Sequence, residues 1–200
     1  MRISRAVIAG VVMVTAARGL AIAAVSDRPG TAIESSRCPH PSVGWSQKAL
    51  LPIVKGPDFE GVVLPPKAAR AVLCQCSRKS LGPASGYWTP TLSELLPMEA
   101  RLPDYLRAHA HPRRPDQWRE LKGYLRQYLG IARAGRRLIY INGIGGPVFS
   151  PARRISHRPA IERAWRSTAL VTCDGGADYF GAEYDVAARE FTRIDFNHSF

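Results

Sequence analysis

From Gly123 onward the apolar residues change from a helical spacing to a spacing of two. That change limits what the C-terminal half can form. Leu125, Leu129 and Ile131 fall on one side of an extended chain, with Tyr124, Arg126 and Tyr128 on the other. Ala134-Gly135 separates this run from Leu138-Ile139-Tyr140-Ile141, so the segment predicts a β-hairpin. Gly143-Ile144-Gly145-Gly146-Pro147 ends the hairpin. Its glycine spacing is not that of a dinucleotide fingerprint, and no helical pattern follows. Ala169 to Cys173 predicts a further strand, and Asp174-Gly175-Gly176 a turn. Tyr179 to Tyr184 and Phe191 to Phe196 predict a second hairpin, joined by residues 185–190.

Upstream the pattern is helical. Thr91-Leu92-Ser93-Glu94 has the form of a capping box, and Leu92, Leu95, Leu96, Leu102, Tyr105 and Leu106 recur at helical spacing. Pro97 and Pro103 each lack an amide and clash with the preceding turn. They predict a kinked helix, or a turn leading into a helix that begins near Pro97. Asp116 to Lys122 predicts a second short helix with Trp118 and Leu121 inward. Residues 150–166 read as a basic connector with a helical turn at Pro159 to Trp165. Residues 24–70 carry Pro39, Pro41, Pro52, Pro57, Pro65 and Pro66 and keep no period. They predict an irregular segment, with Leu50 to Val54 and Val62 to Leu64 as edge strands. The whole reads as α+β: an irregular N-terminal segment and one or two helices packed on a four- to five-stranded antiparallel meander. One helical layer is expected on one face, and residues 71–200 form the single α+β domain.

The N-terminus carries the layout of an export signal. Arg2 and Arg5 precede 12 uncharged residues, Ala6 to Ala17, and Leu20-Ala21-Ile22-Ala23-Ala24 offers small residues for cleavage. Twelve apolar residues are too few to span a bilayer, which needs about 20. Residues 1–23 are therefore expected to be removed, leaving a periplasmic or secreted protein of 177 residues with a charge of +9. An uncleaved N-terminal anchor is the rival reading. Export makes disulfides the natural state of Cys38, Cys74, Cys76 and Cys173. One residue separates Cys74 from Cys76, so a bridge between them would be strained. Two pairings remain: Cys38 with Cys74 plus Cys76 with Cys173, or the crossed version. A zinc site of four thiolates usually brings two close pairs with two to four residues between ligands, and only one close pair occurs here.

Several short strings carry a resemblance. They are Cys76-Ser77-Arg78, Gly86-Tyr87-Trp88-Thr89-Pro90, Gln127-Tyr128-Leu129-Gly130-Ile131 and Ile139-Tyr140-Ile141-Asn142. Cys173-Asp174-Gly175-Gly176, Phe180-Gly181-Ala182-Glu183-Tyr184-Asp185 and Phe196-Asn197 complete the set. From Cys76 to Asn197 the chain resembles a group of small exported bacterial proteins without known function. The resemblance implies export, a Cys76–Cys173 bridge and one compact unit. It implies no activity, substrate or catalytic residue, and it does not reach Cys38 or Cys74.

The charge is uneven. The formal net charge is +12, with 23 of 28 cations being Arg. Residues 101–166 hold a net +11, and residues 174–195 a net −4. A cluster this basic raises the local concentration of anions. Arg113, Arg114, Arg136, Arg137, Arg153 and Arg154 form three adjacent pairs in expected loops or turns. They are the candidate contacts to an anionic partner, because the Arg fork pairs bidentately with carboxylate or phosphate. The expected function is that of a small exported disulfide-bonded binding protein. It would recognise an acidic envelope component or protein partner through this basic face. Export disfavours nucleic acid, although Trp118, Tyr124 and Tyr128 interleave with the cations. The alternative is an exported enzyme using Asp174, Asp178, Glu183 and Asp185 near the last hairpin. No Gly-x-Ser-x-Gly nucleophile occurs. The cations around His109-Ala110-His111 oppose metal binding there, and neither metal nor cofactor is implied.

Overall fold

The alternating run does form a hairpin. The computed structural model describes residues 45–79, 81, 84–145, 160 and 163–198. Within these, seven strands make one sheet: β1 Ile53–Lys55, β2 Glu60–Val63, β3 Gly86–Trp88, β4 Leu125–Arg133, β5 Arg136–Ile144, β6 Tyr179–Asp185 and β7 Glu190–Phe196. Ala134 (φ 49°) and Gly135 (φ 74°) are both left-handed, as a two-residue hairpin loop matching the strand twist requires. Strands β4 to β7 form an antiparallel meander, with Tyr128 facing Ile141 and Ile141 facing Ala182.

The class is α+β, but the sheet is larger than the four to five strands expected, and it is mixed. β2 runs parallel to the first half of β4, from Glu60↔Leu125 to Val63↔Tyr128. β3 pairs antiparallel with the second half, from Gly86↔Ala132 to Trp88↔Gly130. The two short strands thus share one edge of β4. Among the described residues of the N-terminal segment only β1 is an edge strand, since β2 lies between β1 and β4.

Both faces of the sheet are covered, rather than one. The 17-residue helix α2 (Leu92–Ala108; α1 is Ala69–Leu73) lays Leu95, Met98, Leu102 and Leu106 on Tyr128, Ile139, Ile141 and Phe180. The opposite face packs α1, Trp165 and Ala169 on Leu129, Ile131, Leu138 and Tyr140. Helix α2 is one continuous element through Pro97 and Pro103, not a turn and a helix. Burial of four large apolar side chains, each worth about 1.5–3 kcal/mol, outweighs the two missing amide donors. The Thr91 amide donates to Glu94 Oε2 at 2.9 Å, the reciprocal half of the expected capping box. The second expected helix is a 3-10 helix, Gln117–Gly123, which buries Leu121. Residues 163–167 are helical.

Residues 169–173 do not form the expected strand, and Ser46↔Thr168 is an isolated bridge beside them. Side chains take the place of a neighbouring strand. Gln127 Oε1 accepts from the Leu170 amide at 3.0 Å, and Asn142 Nδ2 donates to the Leu170 carbonyl at 2.9 Å. Asn197 Nδ2 donates to the Thr172 carbonyl at 2.8 Å. Cys76 and Cys173 are bridged, with Cα atoms 4.9 Å apart, which excludes the crossed pairing. Cys74 is likewise disulfide-bonded. Cys38, the signal expected at residues 1–23, Arg153 and Arg154 lie outside the described residues.

Candidate functional site

The strand period puts Arg126 and Tyr128 on the face of β4 that meets α2. Glu99 lies one turn beyond Leu95 in the buried stripe of α2, so it meets both. The Tyr128 hydroxyl donates to Glu99 Oε1 at 2.7 Å, and Arg126 Nε lies 3.0 Å from the same oxygen. The Nε–H is not aimed along that line, so the contact is a charge pair rather than a hydrogen bond. Arg126 Nη1 donates to the Tyr124 carbonyl at 3.0 Å. Arg126 is 1% exposed and Glu99 8%. Burial pushes the Glu99 carboxyl above the usual carboxylate range, although Arg126 and Tyr128 pull it down. Burial, helped by Glu99, also holds the Tyr128 hydroxyl protonated.

Over this pair opens a cavity of about 440 Å³. Phe59 and Pro57, from the turn between β1 and β2, form one wall, and Leu96, Ala100 and Pro103 of α2 form another. Trp118 and Leu121 of the 3-10 helix close it. Asp58, Arg119 and Lys122 stand at its rim, where Lys122 Nζ lies 2.5 Å from Asp58 Oδ1. The guanidinium carbons of Arg119 and Arg107 lie 4.6 Å and 5.6 Å from the centre of the Trp118 ring. An apolar hollow with charged groups at its base and mouth can hold a small amphiphilic molecule.

The other face holds a second buried cation. Arg78 donates from Nε to Asn197 Oδ1 at 2.5 Å, from Nη1 to the Tyr140 hydroxyl at 2.8 Å and from Nη2 to Asn142 Oδ1 at 2.8 Å. Gly181 leaves the room that this guanidinium occupies. A Cβ there would stand 2.2 Å from the Tyr140 hydroxyl and 2.6 Å from Arg78 Nη1. Residues from five of the short strings noted in the sequence (Arg78, Tyr140 and Asn142, Cys173, Gly181, Asn197) meet around this cluster.

The four described arginines among those expected to bind a partner fall in two places. Arg114 pairs with both Asp178 and Glu120, and with Arg113 it borders a shallow hollow of about 280 Å³ at the Asp174–Asp178 turn. Arg136 and Arg137 flank the β4–β5 turn. Arg136 Nε lies 2.5 Å from Asp185 Oδ2, and Arg137 reaches Glu94 at 3.1 Å while stacking 4.0 Å over Trp88. Asp178 accepts from the Gly145 amide just past the far end of β5. The two pairs are thus nine residues of extended chain apart, about 30 Å. The structure does not bring them together.

The carboxylates near the last hairpin are also dispersed. Asp178 holds Arg114, Glu183 holds Arg133 at 2.8 Å, and Asp185 accepts from the amides of Ala187 and Ala188 as well as from Arg136. The Ala188 amide leads in keeping the Asp185 carboxyl below its usual range; burial opposes it, and Arg136 adds to the lowering. His109 Nδ1 lies 2.9 Å from the Tyr105 carbonyl, and His111 Nδ1 accepts from the Arg113 amide at 3.2 Å. Among the described residues no three His, Cys, Asp or Glu side chains gather as metal ligands.

Sequence reasoning did not single out Glu99 or Arg126 as site residues. Glu99 did carry a signal, a charge at a position whose helical period assigns it to the core; Arg126 fell with Tyr124 and Tyr128 opposite Leu125, Leu129 and Ile131. No known protein family, curated protein or solved structure matches the chain. The site is therefore read from its own geometry.

Proposed function

We propose that the protein is an exported binding protein that takes its ligand in the cavity above Glu99 and Arg126. The observation that carries this is a void of about 440 Å³, inside the range of small-molecule sites, floored by a buried ion pair instead of apolar packing. Stability alone favours neither feature. Voids cost packing, and a buried pair is often no better than apolar residues of the same volume. The Cys76–Cys173 bridge and the oxidised Cys74 fit an oxidising compartment. Among the described residues no helix is long and apolar enough to cross a membrane. The net charge of +12 favours an acidic partner. A partner using both described arginine pairs would have to bridge about 30 Å; the cavity requires no such span.

A second reading, an enzyme, moves from the hairpin carboxylates to Glu99. Its burial beside a cavity raises its pKa in the direction a proton-transfer group at neutral pH requires. Titration with an uncharged naphthylamine dye tests the site. Wild type is expected to bind one dye saturably, and Ala100→Trp, a change on an exposed wall position, to bind none. Equal uptake by both proteins removes the cavity as the ligand site.

A further inference from the structure

Resting on the cavity as the ligand site, we infer that its ligand is a free amphiphile with an apolar body and one anionic head, the body inside and the head at the mouth. The depth of the cavity is apolar, lined by Phe59, Leu121, Pro103 and Trp118. At its floor Glu99 and Arg126 already neutralise each other. A charged head driven down to them would lose its water and find both partners taken. The head therefore stays where water reaches it.

The mouth favours a negative head. Arg119 and Lys122 stand there, with Arg107 behind the Trp118 ring. Their carboxylate partners are Asp116 at 3.2 Å, Asp58 at 2.5 Å and Asp104 at 3.2 Å. All six side chains are more than 60% exposed, so these pairs are weak and a ligand carboxylate can displace them. Apart from the floor pair, Arg119 and Lys122 line the cavity against Asp58. The charge of +9 expected for the exported chain works against a cationic head. Leu96, 41% exposed at the mouth, extends the apolar path outward and gives the ligand body a contact that water now covers. At about 440 Å³ the cavity lies near the lower end of known sites, room for one tail or ring system.

Equilibrium dialysis of the full exported chain with decanoate, decanol and decyltrimethylammonium tests this. Decanoate is expected to bind about tenfold more tightly than decanol, and the ammonium compound not to bind. In the double variant Arg119→Glu/Lys122→Glu the affinity for decanoate is expected to fall about tenfold, as two exposed pairs allow, with decanol unchanged. Ala100→Trp is expected to abolish both, with thermal melts matching wild type. Equal binding of decanoate and decanol, unmoved by the double variant, overturns the anionic head and leaves the cavity reading standing. Absence of binding by all three compounds overturns this inference. If the naphthylamine dye also fails to distinguish Ala100→Trp from wild type, the cavity reading falls with it.

Discussion

Among the described residues, each face of the sheet buries one arginine, and the two are satisfied in different ways. Arg78 sits among neutral acceptors, and each of its three nitrogens makes a hydrogen bond of 2.8 Å or shorter. It joins the segment after α1 to β5 and to Asn197 beyond β7, beside the Cys76–Cys173 bridge. Arg126 has one carboxylate partner, met at 3.0 Å with a misaligned donor, and an open cavity beside it. A cation whose three nitrogens are each hydrogen-bonded to a neutral acceptor is a clamp. A cation loosely paired at the base of a void is the feature on which the proposed ligand site rests.

The largest effects should separate these two roles. Arg78→Met takes the Arg78 donor from Asn142 Oδ1, Asn197 Oδ1 and the Tyr140 hydroxyl and is expected to cost about 3–5 kcal/mol. No single partner change should rescue it, because three different elements lose their tie. Arg126→Met alone is also expected to cost about 3–5 kcal/mol, by stranding Glu99. There the double change Glu99→Leu/Arg126→Met should recover most of the loss or exceed wild type. Urea unfolding of all the variants measures this. A rescue of Arg78→Met by Asn142→Leu, or no rescue on the cavity face, breaks the distinction.

Opening the Cys76–Cys173 bridge comes next. It closes a separation of 97 residues, and its removal as Cys76→Ser/Cys173→Ser is expected to cost about 2–5 kcal/mol. The loss should fall on the Arg78 face. Hydrogen exchange should quicken in β6 and at Asn197 before it quickens in α2.

These elements were unequally visible in the sequence. Both long hairpins and the capping box followed from local chemistry: alternation, Ala134-Gly135 and the Thr91/Glu94 pair. The strand expected at residues 169–173 failed because its partners are side chains from Gln127, Asn142 and Asn197, which no local pattern reveals. β2 and β3 are too short to show a period, and their place beside β4 is a long-range fact. For the site, the basic arginine pairs stood out by count, yet the fold sends the described pairs to opposite ends of β5. Glu99 and Arg126 were single charges inside apolar patterns. Their meaning appears only when α2 docks on β4.

Acid–base behaviour gives a smaller contrast between the faces. Burial raises the Glu99 pKa above 4.5, so the folded state holds this proton more tightly than the unfolded chain. Its contribution is full below about 4.5 and is lost as pH rises through the folded value. Asp185 behaves oppositely. Held below 3.8 by the Ala188 amide against burial, it stabilises above that value, and the gain is lost as pH falls through its folded pKa. Wild type minus Glu99→Gln should therefore show stability falling with rising pH. Wild type minus Asp185→Asn should show it rising. Matching slopes from the two variants would remove the contrast.

The smallest expected effect concerns Arg137, at the turn between β4 and β5. Its side chain is 57% exposed, stacks on Trp88 and reaches Glu94. Burial lifts the Glu94 carboxyl, but the Thr91 amide and hydroxyl, with Arg137, outweigh that and hold it below its usual range. Arg137→Ala is expected to cost about 0.5–1 kcal/mol, mostly from the stacking contact, since an exposed ion pair adds little. High salt should erase only the smaller part of the loss, because screening weakens the pair with Glu94 and leaves the ring contact in place. Arg137→Lys should fall between, keeping the charge but losing the planar stack. Thermal melts at low and high salt distinguish these shares. A cost that disappears entirely in salt would make Arg137 a surface charge like its neighbours, free to serve the acidic partner that the basic sequence suggests. A cost that persists places it with the packing of Trp88 against Gly130, where a Cβ would stand 2.4 Å from the Trp88 carbonyl oxygen and β3 lies close on β4.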